Sequence, residues 1–436
     1  MYDRNTISAG IVHFGVGNFH RAHLQYYNNL LLENEDQKSW GIYGAMIMPG
    51  DGPLYSALKS EEGIYDLMIC YPSGDRETYT VRSLIGLCWG EEDTEPIIKQ
   101  IASPETKIIT LTITEGGYVV NPDSPKSVFW YIAEGLKRRM AAGLPITILS
   151  CDNLQHNGNT AAKAFLSYFD AKYPEIASWA RKSVSFPNSM VDRITPATKS
   201  GKITDVFCED FIQWVVEDKF IAGRPAWERV GVQFTDDVTP YENMKLSLLN
   251  ASHSLLCYPA YLEGFKKVDA VLADFRYLKL IKDFMDVDVT PYVPEPKGVN
   301  LSEYKETLLR RFSNAAISDQ VSRLCGDGIA KFAVYIVPTL AKMLASGNDT
   351  KRLAFLLASY YKYLKFERTE NGEKIDIFEP HITIRDKEIL NGESPLDFFD
   401  LSPFAGLSLK SKPTFVNQYE FFVEHNVSEG FKAFDI

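Results

Sequence analysis

Gly10-Ile11-Val12-His13-Phe14-Gly15-Val16-Gly17-Asn18-Phe19-His20-Arg21 decides the fold of the N-terminal half. Residues 10–14 form a short apolar run that reads as a buried strand, and the chain then turns through Gly15-Val16-Gly17 into a helix expected to reach about Glu35. Such a strand–turn–helix is a place for a dinucleotide pyrophosphate. The first glycine permits the tight turn and the second lets the backbone approach the phosphates. The helix N-terminus adds free N–H groups and the positive end of its dipole. His20 stands where a third glycine is usual, so helix and strand cannot pack in the most common way. Paired glycines also serve ordinary turns, and the rest of the chain has to decide between the two readings.

Working outward, residues 40–48 read as the next strand and end in Pro49-Gly50-Asp51-Gly52. An acidic residue after the second strand accepts hydrogen bonds from the adenine ribose hydroxyls and repels a 2′-phosphate, which favours NAD. Asp51 fits that role, and it equally fits a plain turn. Residues 65–71 and 78–84, separated by Pro72-Ser73-Gly74-Asp75, read as an antiparallel hairpin added to the nucleotide fold. Residues 107–114 form a buried strand that leads into Glu115-Gly116-Gly117-Tyr118. A helix over 127–142 stops at Gly143, and residues 145–150 form another strand. Cys151-Asp152-Asn153 therefore falls at a strand's carboxyl end, where ligands bind in open α/β sheets. The Asn153 amide is placed either to meet a substrate oxygen or to cap a loop. Adjacent Asp192 and Arg193, in Phe186-Pro187-Asn188-Ser189-Met190-Val191-Asp192-Arg193-Ile194-Thr195-Pro196, read from sequence alone as a surface pair.

From residue 242 onward helical periods dominate, over 242–264, 303–324, 331–346 and 350–366, so a mostly helical second domain is expected to span 237–436 after an α/β domain at 1–236. Its first helix holds Tyr241-Glu242-Asn243-Met244-Lys245-Leu246-Ser247-Leu248-Leu249-Asn250-Ala251-Ser252-His253. Taken as a regular α-helix, Lys245, Asn250 and His253 fall at roughly 0°, 140° and 80° around the axis. Three polar side chains on an apolar helix must find partners or face a cavity. They are either satisfied core groups, with the lysine reaching solvent, or the wall of a reactive site.

Composition narrows the field. With 436 residues the chain exceeds one ordinary core, and 45% apolar with 24% charged residues is typical of a soluble enzyme. A net charge of −11 argues against nucleic-acid or anionic-membrane partners. No apolar leader and no long apolar run is present, so a cytoplasmic location is expected. The six cysteines are dispersed without a Cys-x-x-Cys pair, and no metal is expected.

Together these stretches resemble the mannitol dehydrogenase family, the polyol-specific long-chain dehydrogenases, along nearly the whole chain. The segment Phe186 to Pro196 resembles the family signature, and Gly15 to Arg21 its nucleotide motif. Thr112-Ile113-Thr114-Glu115-Gly116-Gly117-Tyr118, Ser150-Cys151-Asp152-Asn153, and Lys245 with Asn250 and His253 match as well. The resemblance implies a Rossmann-like NAD-binding domain, with Gly15, Val16, Gly17, Asn18, Phe19, His20, Arg21 and Asp51 at the cofactor, and a mostly α-helical C-terminal domain. It implies metal-independent oxidation of a secondary alcohol on an open-chain polyol, and the reverse ketose reduction. Lys245 takes the place of the family's acid–base lysine, Asn153 and Asn250 of the amides on the reacting oxygen, and His253 of the histidine on the substrate. Asp192, Arg323 and Lys331 lie where further substrate contacts are placed. Within the family the chain is most similar to members that interconvert mannitol and fructose, and the chain is read as a monomer. A short link at 197–206 and a short C-terminal tail depart from those members, which keeps a fructuronate reductase as the alternative. A nucleotide sensor without chemistry would leave Lys245, Asn250 and His253 unexplained.

The residue types carry the chemistry. A lysine near its reference pKa of about 10.4 cannot accept the hydroxyl proton at neutral pH, so burial on the apolar helix has to favour the neutral amine. Two amide donors aimed at an alkoxide-like oxygen then do the electrostatic work that zinc does elsewhere. Glu242, one turn earlier, is a candidate proton relay, although an ionised carboxylate beside Lys245 would oppose the depression.

Overall fold

The computed structural model describes residues 2–196, 201–317 and 319–436. It divides into two compact units, one made of Met1–Tyr71 with Asp75–Thr239, the other of Pro240–Ile436 with Pro72–Gly74.

The first unit is built on β1 (Ile11–Phe14), β2 (Ile42–Met46), β5 (Leu84–Trp89), β6 (Ile108–Leu111), β7 (Ile146–Ser150) and β8 (Val184–Ser185), all parallel, in the order β5-β2-β1-β6-β7-β8. Strands run outward in both directions from the pair β1 and β6, so the chain reverses its strand order there. A doubly wound sheet binds dinucleotides in the crevice at that reversal. Burial explains why these strands read as continuous apolar runs: Val12, Phe14, Ile109 and Leu111 pack into the core on one face, and Ile11, Ile42, Ile108 and Leu149 into the core on the other.

The hairpin is present as β3 (Tyr65–Cys70) paired antiparallel with β4 (Arg76–Val81), and β10 (Val206–Glu209) adds to β3 in parallel. Its second strand ends three residues before the expected limit, because Leu84 already belongs to β5 at the edge of the main sheet. The crossing point is Ser83, whose carbonyl accepts from the Ile42 N–H and whose buried hydroxyl donates to Gln25 O at 2.9 Å. A third small sheet joins β9 (Ser189–Asp192), β11 (Gln213–Glu217) and β12 (Gln233–Thr235), with β9 antiparallel to β11. Of the link at 197–206, residues 197–200 lie outside the described residues.

The first helix is two pieces, Asn18–Ala22 and Leu24–Leu31, rather than one run to Glu35. The break is at His23 (φ −114°, ψ −85°), whose Nε2 meets Gln213 O at 2.9 Å and whose ring packs on Phe19 and Trp214.

The second unit is helical among its described residues. Lys351–Phe366 and Ala251–Leu262 run through its core and bury, among others, Leu255, Leu256, Leu356 and Leu357. The helix expected over 331–346 is split into Gly328–Tyr335 and Val337–Ser346, since Pro338 has no N–H to continue it. That expected over 303–324 is likewise two, Leu301–Phe312 and Val321–Cys325. No single helix among the described residues is long and apolar enough to cross a membrane.

Candidate active site

Gly15 follows β1 with φ +93°, and a Cβ there would stand 2.0 Å from Thr112 O, so glycine is required for both conformation and space. Gly17 differs. A Cβ on it would meet nothing nearer than Gly15 O at 3.9 Å, so no neighbour in the protein demands that glycine. It is the cap residue of Asn18–Ala22 and, as a glycine, supplies no side-chain capping bond. An open, donor-lined backbone at the strand-order reversal fits a dinucleotide pyrophosphate.

The missing third glycine has a structural answer. His20 lays its ring flat on His13 of β1, with centroids 3.3 Å apart and 14° between planes, so a planar stack replaces close backbone packing. His13 Nδ1 meets Thr110 Oγ1 at 2.8 Å, and Nε2 lies 3.1 Å from Gly15 O and 3.0 Å from Thr112 Oγ1. Burial lowers His13 to about 3, against a small opposing effect of the Gly15 carbonyl. Burial, and then the neighbouring His13, Arg21 and His23, hold His20 well below the ordinary histidine value. Both rings are neutral. Neither ring nitrogen of His20 has a hydrogen-bond partner among the described residues.

Arg21 departs from the expected cofactor role. Its buried guanidinium donates to Thr204 O at 2.5 Å and Asn18 Oδ1 at 2.7 Å and lies over the Tyr65 ring, which makes it an internal brace. Phe19 stacks on His23 at 5.0 Å. Asp51 sits in the turn after β2, where its carboxylate accepts from the Met48 N–H at 2.9 Å. The turn role is therefore occupied by one oxygen.

At the carboxyl ends of β6 and β7 lies a network absent from the sequence reading. Asp152 is buried, and its carboxylate accepts from the N–H of Ile113 (3.1 Å), the N–H of Thr114 (2.8 Å) and the Tyr118 hydroxyl (2.6 Å). Burial raises its carboxyl, against the lowering effect of these three donors. Thr114 has φ +63° and ψ 172°, a region nearly confined to glycine, at a cost of about 1–3 kcal/mol. Asn153 follows Asp152 and is exposed. Asn157 fixes this strand end to the signature segment: its amide donates to Ser150 O (3.1 Å) and Asp152 O (3.0 Å), and its oxygen accepts from the Ser189 N–H at 2.8 Å. Asp192 and Arg193 are both buried, which corrects the surface-pair expectation. Arg193 donates to Ala22 O at 2.5 Å and Glu209 O at 3.1 Å and lies over Tyr26.

In the second unit the central helix contains a wider turn. Thr239–Met244 is α-helical, Lys245–Asn250 is a π-turn, and Ala251–Leu262 resumes the α-helix. A π-turn closes from residue i to i+5, so Lys245 and Asn250 stand one turn apart along the helix rather than 140° apart. This corrects the regular-helix reading. The i, i+5 spacing, awkward for an α-helix, is the spacing a π-turn aligns. Lys245 and Glu242 are both buried, and Asn250 Oδ1 is a buried oxygen without a hydrogen-bond partner among the described residues.

His253 faces Phe312, with ring centroids 4.5 Å apart. Burial lowers it to about 3, against Asp319 and reinforced by Arg323, Arg311 and Lys331. The fold thus brings the predicted Arg323 and Lys331 to His253. Arg323 grips Asp319, four residues earlier, with Nε to Oδ1 at 2.7 Å and Nη2 to Oδ2. Burial works to raise the Asp319 carboxyl, yet the Arg323 fork and the nearby histidine leave it below its usual value. Lys331 Nζ donates to Leu324 O at 3.1 Å. The turn between them is locked from both sides: a Cβ on Gly328 would stand 2.4 Å from the Tyr258 hydroxyl, and Glu379 accepts from the N–H groups of Gly328 (2.8 Å) and Ile329 (3.0 Å). Tyr258, on the His253 helix, donates to Cys325 O at 2.9 Å. Among the described residues no group of three His, Cys, Asp or Glu side chains is placed to hold a metal ion.

A doubly wound nucleotide fold followed in the chain by a helical unit carrying an amine, an amide and an imidazole on one helix defines a two-domain dehydrogenase. Residues 9–229 match the mannitol dehydrogenase Rossmann domain and residues 237–425 the mannitol dehydrogenase C-terminal domain, and the chain belongs to the mannitol dehydrogenase family of polyol dehydrogenases. It is similar to the polyol:NADP oxidoreductase of Gluconobacter oxydans (strain 621H), with 37% identity over 93% of this chain and 90% of the relative. The mannitol 2-dehydrogenase of Phaeosphaeria nodorum is 35% identical over 99% of this chain and 82% of its own. Two solved structures are similar throughout. The Pseudomonas fluorescens mannitol 2-dehydrogenase, a ternary complex with NAD and D-mannitol, has a TM-score of 0.87 and 36% identity, covering 99% of this chain and 95% of that one. A D-sorbitol dehydrogenase in substrate-free form has a TM-score of 0.91 and 34% identity, covering 99% and 96%.

Sequence reading missed Asp152, Tyr118, Asp319 and Glu379. Two had a visible signal: Asp152 adjoins Asn153 at a strand end, and Asp319 precedes Arg323 by one helical turn. Glu379 had none, since it reaches Gly328 from 51 residues away.

Proposed function

We propose that this enzyme oxidises a secondary alcohol of an open-chain polyol to the ketose with NAD, and catalyses the reverse reduction, with D-mannitol and D-fructose as the leading pair. The observation that carries the reading is the alignment of Lys245 and Asn250 by one π-turn on the helix that also bears His253. Gly15, Val16, Gly17 and the first turn Asn18, Phe19 and His20 hold the dinucleotide, which supplies the hydride acceptor. Lys245 takes the hydroxyl proton during oxidation and returns it during reduction. Asn153 and Asn250 hold the reacting oxygen as charge develops on it, and His253, neutral over the working pH range, makes a hydrogen bond to a neighbouring hydroxyl. Asp192 and Lys331 are assigned further substrate contacts. Arg323 acts with Asp319 as a paired group.

The hexuronate alternative has one observation in its favour: the charges of Arg311, Arg323 and Lys331 all act on His253, opposed by that of Asp319. Against it, Asp319 already fills the Arg323 fork that would otherwise clamp a substrate carboxylate.

The test is a panel of mannitol, sorbitol, arabinitol and mannonate with NAD and with NADP, read as reduced-nicotinamide absorbance. Mannitol with NAD should be fastest, and activity should survive EDTA. A dominant mannonate rate would replace the polyol by the uronate, and no reduction with any member would leave a nucleotide sensor. Asp51→Ser should narrow the preference for NAD over NADP; an unchanged ratio would confine Asp51 to its turn.

A further inference from the structure

The segment Thr112 to Tyr118 leaves β6 beside the strand-order reversal and is bonded at its start to the glycine turn, with Thr112 Oγ1 donating to Gly15 O at 2.7 Å. Its next two N–H groups, of Ile113 and Thr114, go to the two oxygens of Asp152. Tyr118, at its far end, lies 2.6 Å from both Asp152 Oδ2 and Ser150 Oγ. Between these anchors Thr114 is held at φ +63° and ψ 172°, while Thr114, Glu115 and Gly116 are exposed. A β-branched residue at such angles persists only where its surroundings over-determine it. One carboxylate does this here. The same residue carries Asn153 as its chain neighbour, so the glycine turn, the strained segment and the proposed oxygen-binding amide form one connected network within the first unit.

We infer that Asp152 is a positioning residue for hydride transfer: by clamping the N–H groups of Ile113 and Thr114 it holds the Thr112–Tyr118 segment in a strained shape that forms a wall of the dinucleotide crevice and sets the position of Asn153. The inference rests on the dehydrogenase reading above. Its physical content is that the segment's relaxed shape differs from its working shape. An alternative in which Asp152 only stabilises the fold has no need of the strain at Thr114.

The two accounts separate in a double-variant cycle. Asp152→Asn loses one charged acceptor and should slow single-turnover hydride transfer by about 10²-fold, the scale of a misplacement of about 1 Å. It should also speed amide hydrogen exchange across 112–118. Thr114→Gly removes the strain, since glycine adopts these angles freely, and alone should cost no more than a few-fold. In the Asp152→Asn background the same glycine should restore at least about tenfold of the rate, because the segment no longer has to be forced. A double variant as slow as Asp152→Asn, or unchanged exchange across 112–118 in Asp152→Asn, overturns the inference. If Asp152→Asn does not fold, Tyr118→Phe removes one clamp contact and should raise exchange in the same segment with a smaller loss of rate; no change in either overturns it equally. Exchange and NADH-fluorescence binding are read without turnover. A wild-type protein inactive on every polyol would therefore sink the proposed function, while the coupling of residues 114 and 152 in exchange would still stand or fall alone.

Discussion

In the first unit the features assigned to the dinucleotide are chiefly backbone: Gly15 held by its φ of +93°, Gly17 open to within 3.9 Å and a helix start without a side-chain cap, beside the strained Thr114. In the second unit the corresponding work falls to side chains on one helix, where Lys245 and Asn250 are aligned by a π-turn and His253 is set among Asp319, Arg311, Arg323 and Lys331. A site made of backbone tolerates change in side chains that face away from it and fails when a Cβ or a dihedral angle is altered. One made of side chains fails when an atom is removed or a helix is rotated. The two units should therefore break under different kinds of substitution.

The largest effect belongs to Lys245. Lys245→Ala should lower the single-turnover rate of polyol oxidation by at least about 10²-fold, with cofactor affinity little changed, because the groups assigned to the dinucleotide lie in the other unit. A small external primary amine should restore part of the rate, with a pH dependence that follows the added amine. Comparable rates for wild type and variant over about pH 6 to 10 would remove Lys245 from the chemistry.

Rotation is the second way to break a side-chain site. Inserting one alanine between Ser247 and Leu248 puts Lys245 and Asn250 six residues apart, one more than the π-turn closes, which turns Lys245 by about 100° relative to Asn250 and His253 without removing any proposed catalytic atom. The rate should fall by roughly 10²-fold while the folded protein keeps its helical circular dichroism. A fully active insertion variant would mean that the wide turn has no part in aligning the site.

Backbone change should sort the glycines in the first unit. Gly15→Ala puts a methyl 2.0 Å from Thr112 O and at an unfavourable φ, so it should lose at least about 2 kcal/mol of stability by denaturant titration. Gly17→Ala meets no neighbour in the protein and should cost under about 1 kcal/mol, yet weaken dinucleotide binding about tenfold. If Gly17→Ala bound the cofactor as tightly as wild type, the open space above Gly17 would not be the pyrophosphate position.

The contrast also governs what the sequence could reveal. Backbone sites announce themselves, because Gly15 and Gly17 fall between an apolar strand and a helix, and the parallel sheet follows from runs such as Ile108–Leu111 that need burial on both faces. The polar residues of the central helix were equally visible, but their alignment was not. A helical wheel assumes one period throughout, and only the folded chain shows the wider turn at Lys245–Asn250. Least legible were the long-range clamps. Arg21 resembles a phosphate ligand in the glycine motif, and one of its partners, Thr204, lies 183 residues away. Asp152 was quoted within its motif and passed over, because its partners Ile113 and Thr114 belong to another strand end.

The smallest effect at neutral pH, and the sharpest on the stacked ring that replaces the third glycine, comes from His20→Phe. His20 is held well below its ordinary value of 6.5. The unfolded chain therefore takes up a proton below about pH 6.5 that the folded chain refuses, and the stability present above that pH is lost as pH falls toward the folded value. The slope is at most about 1.4 kcal/mol per pH unit for one histidine. Phenylalanine keeps a flat ring for His13 to stack on and has no proton to refuse. The loss of unfolding free energy between about pH 7 and pH 5 should thus be smaller in the variant by about 2 kcal/mol. Any misfit of the larger ring displaces the whole stability curve and leaves this difference intact, so the slope reads ionisation separately from packing. An identical slope in wild type and His20→Phe would show that His20 takes up its proton as readily in the folded protein as in the unfolded chain, and the neutral stack beneath the glycine turn would have to be abandoned.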